Sequence, residues 1–139
     1  SESSNRRIIR TTKEWIATKV DIIDPRDVLM VIQLSTWDSQ LEIEEALEDI
    51  IEFLTYLKDL GFKHIFFNGS NTFLDVPESA RYDFGESYVN PYLPEESYDG
   101  WLQLNGYGTV ITSNYYYGIE AHAAWARRLS QHIIDNKMV

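Results

Sequence analysis

Residues 28–67 read VLMVIQLSTWDSQLEIEEALEDIIEFLTYLKDLGFKHIFF, and this stretch decides the fold. Its centre is helical. Ile43, Ala46, Leu47, Ile50, Phe53, Leu54, Leu57 and Leu60 recur at spacings of three and four, with Glu42, Glu45, Asp49, Glu52 and Asp59 on the opposite face. The expected helix runs from Ser39 to Leu60. Ser39 with Glu42 forms a capping box, and Gly61 supplies the left-handed stop, with Phe62 folding back on Leu57. On either side lie apolar runs, 28–34 and 63–67, that do not alternate, as in strands covered on both faces. A strand, a long helix and a strand joined by short turns form a right-handed parallel β-α-β unit.

Outward from that unit the signals are local. Residues 1–5 read as a disordered lead-in and 6–10 as a short strand. Thr11 with Glu14 then opens a short helix through Trp15, Ile16 and Val20. Asp24-Pro25-Arg26-Asp27 is a turn. Residues 68–100 lose all periodicity and form a long connection rich in aromatic and acidic residues, of the kind that is usually functional when it occurs in a compact domain. Asn105-Gly106, flanked by Trp101-Leu102-Gln103-Leu104 and Thr109-Val110-Ile111-Thr112, predicts an antiparallel hairpin. Ile119, Ala123, Ala126, Leu129, Ser130 and Ile133 line one face of a C-terminal helix ending near Asn136. The fold class is α/β, with α+β as the alternative: one domain over 1–139, with a small mixed sheet and a packed C-terminal helix.

Charge narrows the function classes. The chain carries −10, yet residues 38–99 hold 15 acids and 3 bases while the rest hold 7 acids and 9 bases. A field so placed repels nucleic acid and anionic membrane and steers a basic partner inward. No cysteine is present, which removes disulfides and thiolate chemistry and fits a cytoplasmic protein. No apolar run is long enough to span a bilayer.

Motifs for catalysis are missing. His64, His122 and His132 are the three histidines, and the ten-residue separation of the last two is not that of a helical metal pair. Neither a metal nor a cofactor is expected. The leading expectation is a non-enzymatic acidic module that occupies a basic site on a partner protein. By size and composition it is analogous to toxin-immunity, anti-defence and other acidic inhibitor proteins. Its contact residues would be Glu45, Asp49 and Glu52 on the long helix, and Asp83, Glu86, Tyr88, Tyr92, Glu95, Glu96 and Tyr98 after it. The rival is a small-ligand or nucleotide-binding domain, an enzyme included, with its site at the carboxyl ends of the parallel strands around Trp37, Asp38, Asn68 and Ser70. A homo-oligomer held by exposed aromatics is a third reading.

Overall fold

The computed structural model describes residues 2–34, 40–109 and 117–139. Helix α1 (Ser4–Lys19) leads to strand β1 (Leu29–Leu34), helix α2 (Gln40–Asp59) and strand β2 (Lys63–Asn68). A long connection follows, with 3-10 turns at Glu78–Ala80, Gly85–Ser87 and Pro94–Glu96, and the chain closes with α3 (Tyr98–Leu104) and α4 (Ile119–Asp135). β1 and β2 pair in parallel with Ile32 beside Phe66 and Leu34 beside Asn68. The β-α-β unit is therefore present. The expected Ser39 cap lies outside the described residues.

α2 ends as its sequence requires. Gly61 takes φ +80°, its N–H reaches the Lys58 carbonyl, and the Phe62 N–H reaches that of Leu57 at 2.9 Å. Ala46, Ile50, Phe53, Leu54 and Leu57 are buried, as the periodicity demands, while Leu60 is exposed beyond the last packed turn.

Two apolar clusters share the sheet. One gathers Ile9 and Ile16 of α1, Met30, Ile32 and Leu34 of β1, the buried face of α2, Phe66, and the loop residues Phe73, Val76, Phe84, Tyr88 and Tyr92. The other gathers Ile65 and Phe67 with Val89, Leu102, Tyr117, Ala121, Trp125 and Leu129. β2 is covered on both sides, as expected. β1 is not: Val31 and Gln33 are exposed, because α4 lies over β2 and leaves that face of β1 bare.

Four further expectations are corrected. Residues 6–10 are helical rather than extended, and Ser4 and Asn5 form the first turn of α1 instead of a disordered lead-in. The Ser3 hydroxyl caps the Arg6 N–H, and Asn5, Ile9 and Ile16 turn inward, so the cap of α1 lies eight residues before the Thr11 cap that was expected to open it. The hairpin at Asn105-Gly106 is absent among the described residues. There Trp101–Leu104 belong to α3, and Gly106, at φ +86°, ends it with N–H bonds from Gly106 to Gln103 and from Tyr107 to Leu102. Asn-Gly satisfies a helix stop as well as a hairpin turn, since both need the left-handed region. One antiparallel bridge, Thr109 with Tyr117, is described, and residues 110–116 fall outside. α4 also presents another face, with Ala121, Ala124, Trp125 and Leu129 buried and Ile119 exposed. Burying the large Trp125 ring sets that rotation.

The long connection is packed onto the sheet. Val89 donates to the Phe66 carbonyl at 2.9 Å, and Tyr88 bridges Phe66 in parallel, so it runs briefly as a third strand beside β2. The Tyr88 hydroxyl donates to the Asn68 amide oxygen deep in the core. Burial pushes the Tyr88 phenol far above its ordinary titration range.

Candidate functional site

The acids of α2 were the first expected contact surface, and the fold places a basic helix against them. Seven acids and Lys58 occupy α2, whereas α1 carries five bases against Glu14. The Arg6 Nε donates to Asp49 at 2.8 Å, and Arg6 also lies 3.8 Å from Glu45. Arg10, Lys13, Asp49 and Glu52 line the same 320 Å³ groove. Lys13 sits over the ring of Tyr56, 4.8 Å from its centre. An approaching basic partner would have to compete with these cations.

The second expected surface is built differently. Residues 75–99 hold seven acids and a single base, Arg81. That guanidinium is directed inward, donating to the carbonyls of Val76 and Leu74 at 3.0 Å each and lying 4.8 Å from the centre of the Tyr92 ring. Asp83, Glu86 and Glu95 are exposed. Glu96 is met by Arg128 of α4 at 2.5 Å. Between this segment and α4 opens a cleft of about 410 Å³, lined by Tyr82, Asp83, Phe84, Tyr88, Tyr92, Glu96, Arg128 and His132, among others.

The walls of the cleft are held by specific bonds. The Tyr92 hydroxyl donates to the Tyr82 carbonyl at 3.0 Å and accepts from the Tyr82 N–H at 2.8 Å, pinning the backbone where the rim ring emerges. Burial raises the Tyr92 phenol above its ordinary range. Asp83 accepts from the Gly85 N–H, which fixes the turn below it, and the His132 Nε2 lies 2.9 Å from the Glu86 carbonyl. Tyr82 packs edge-on against Phe84, and Phe84 against Tyr88, so the exposed ring rests on a buried stack.

Of the ten residues expected at the partner surface, two are core. Tyr88 and Tyr92 are buried, which removes them from direct contact while they support the cleft. Tyr98 is half-buried against α4. Sequence reasoning missed Tyr82, the ring that remains exposed at this rim; its placement next to Asp83 was the available signal.

At the carboxyl end of β2, Asn68 is buried and engaged by Tyr88 and by the Pro91 carbonyl, so its amide serves the core rather than a ligand. Ser70 is half-buried, and Trp37 and Asp38 lie outside the described residues. Close by, the Asp99 N–H donates to the Gly69 carbonyl. This brings together residues not expected as a group: the Tyr98 hydroxyl and His122 Nδ1 are 2.8 Å apart, and the Tyr117 hydroxyl donates to Asp99, which also accepts from Gln103. Burial, then the Asp99 carboxylate, raises the Tyr98 phenol, and the same causes raise that of Tyr117. A phenol paired with an imidazole can relay a proton. The pairs span 24 and 18 residues, a separation that carries no local sequence signal.

His64 is buried under α2. Its Nδ1 lies 3.0 Å from the Phe62 carbonyl and so bears the hydrogen, while Nε2 has no partner among the described residues. Burial lowers its pKa. Among the described residues no group of three or more histidines and carboxylates is placed to hold a metal, and no helix is long and apolar enough to cross a membrane. Comparison with protein-family models, curated proteins and solved structures finds no match to this chain.

Proposed function

We propose that this chain is a non-enzymatic protein-binding module, of the inhibitor or immunity type, that occupies a basic site on a partner through residues 82–96. The carrying observation is the placement of cations: Arg6 of α1 meets Asp49 and Glu45 of α2, whereas Asp83 lines the cleft with Tyr82, and Glu86 and Glu95 stand exposed along the same segment. Exposed acids around a fixed aromatic suit an arginine or lysine side chain, which gains a carboxylate and a ring together. The reading includes a cytoplasmic setting, in keeping with a chain free of cysteine. The test is an NMR titration with an arginine-rich peptide at low and raised salt. Shifts should centre on Tyr82, Asp83 and Glu86, and Asp83→Lys with Glu86→Lys should weaken binding by roughly tenfold or more, given how rim charges act. Shifts centred on α2, or affinity indifferent to both reversals, would sink the proposal.

A second reading, a small-ligand or nucleotide-binding domain, is favoured by the Tyr98–His122 and Tyr117–Asp99 pairs beside Ser70 at the carboxyl end of β2. A thermal-shift screen with nucleotides, phosphosugars and divalent metals addresses it. A ligand at 100 times its dissociation constant adds about 2.7 kcal/mol of stability. No shift across the panel argues against a ligand of those classes.

A further inference from the structure

β1 offers a surface of a different chemistry. In a parallel pair, successive residues direct both backbone groups alternately to one side and the other. Leu34 accepts from the Gly69 N–H across the β1–β2 seam, so Met30, Ile32 and Leu34 bond toward β2. Leu29, Val31 and Gln33 therefore point their N–H and C=O groups to the opposite edge, where no described strand pairs with them. Sheet edges are normally blunted by charge, proline or a bulge. Leu-Met-Val-Ile-Gln-Leu has neither charge nor proline, and its register with β2 runs unbroken through all six residues.

Next to that edge, Thr11, Thr12 and Trp15 of α1 leave a groove of about 310 Å³ against Met30, Val31 and Ile32. Val31 is 48% exposed and Trp15 41%. None of the six lining residues is charged, which matters in a molecule of net charge −10. A basic partner gains nothing electrostatic from this groove, and a second copy meets no like charge on its walls.

We propose that the free edge of β1 pairs antiparallel with β1 of a second copy, about a two-fold axis at Val31. The geometry is self-complementary. Val31 faces its counterpart and exchanges both backbone bonds, and Leu29 does the same with Gln33 of the other copy, giving three hydrogen-bonded pairs across the axis. Each groove then receives apolar surface from the neighbouring copy's edge.

Light scattering coupled to size exclusion, over a concentration series, tests the pairing. The mass should rise from 16.2 kDa toward twice that value. Val31→Lys, at an exposed position, should remain monomeric where the parent is dimeric, whereas Val31→Thr, still β-branched and uncharged, should keep the dimer. Hydrogen exchange on the unaltered chain gives a check that needs no variant: amides of Val31 and Gln33 should slow as concentration rises, while those of Ile32 and Leu34 stay constant. A monomer throughout, a dimer untouched by Val31→Lys in a folded variant, or edge amides that ignore concentration would each overturn the proposal. The inference is independent of the acidic surface, since Asp83→Lys with Glu86→Lys should leave the dimer intact.

Discussion

Helix α2 holds seven acids against Lys58, and residues 75–99 hold seven against Arg81, yet only the first group lies beside a basic helix of the same chain. Equal charge in the sequence is partnered differently in the fold. On α2 the acids help to seat α1, through Arg6 on Asp49 and Glu45. In the later segment Arg81 turns inward to backbone carbonyls and Arg128 of α4 takes Glu96, while Asp83, Glu86 and Glu95 are left to solvent. The difference teaches that which acids of a run stay unpaired can be read only after intramolecular cations have been assigned.

The largest test of that contrast asks whether the later segment is as firmly built as the helix pair. Tyr88→Ala should destabilise by about 3–5 kcal/mol, the range for deleting a buried aromatic ring, as read from urea denaturation. A cost below about 1 kcal/mol, typical of exposed positions, would mean the segment is only loosely attached. Tyr88→Phe keeps the ring but strips Asn68 of its buried donor, and should cost about 1–3 kcal/mol in the same measurement.

A third prediction concerns His64, beneath α2. Burial lowers its folded-state pKa below the ordinary 6.5, so the unfolded chain binds that proton more tightly. Its contribution to stability is complete above pH 6.5 and is lost as pH falls below that value toward the folded pKa. Denaturation midpoints measured from about pH 7.5 down to about pH 5.5 should decline, and His64→Leu should flatten the decline in this window. An unchanged slope in the variant would assign the effect elsewhere.

The smallest effects compare the two acidic regions directly. Asp49→Lys sets like charges beside Arg6 and should lower the denaturation midpoint, whereas Glu95→Lys relieves local repulsion and should leave it unchanged or slightly raised. Both differences should fade as salt is added. Equal responses at the two positions would erase the distinction.

Much of the α2 region was legible because its signals are local and redundant: a repeat from Ile43 to Leu57, and a glycine stop followed by Phe62. α1 was misread because Ile8-Ile9 suggests a strand, while the deciding facts are the Ser3 cap and the Ile9–Ile16 spacing that faces α2. For Asn105-Gly106 the turn signal was right and the element wrong, since a left-handed glycine serves two kinds of reversal and here only Gly106 takes that conformation. Asp83, Glu86 and Glu95 are exposed, as acids ordinarily are, whereas the burial of Tyr88 and Tyr92 depends on how the segment lies along β2. No reading of Tyr98 and His122 apart could have paired them.

β2 has a consequence for how the molecule melts. Its successive side chains serve different clusters, Phe66 on one side and Ile65 and Phe67 on the other, so both share this one strand as a wall. Neither half keeps a floor once that wall is lost. Calorimetric and van't Hoff enthalpies should therefore agree, as for a single cooperative unit. Insertion of one residue within 63–68 would exchange the two sets of side chains and disable both halves at once.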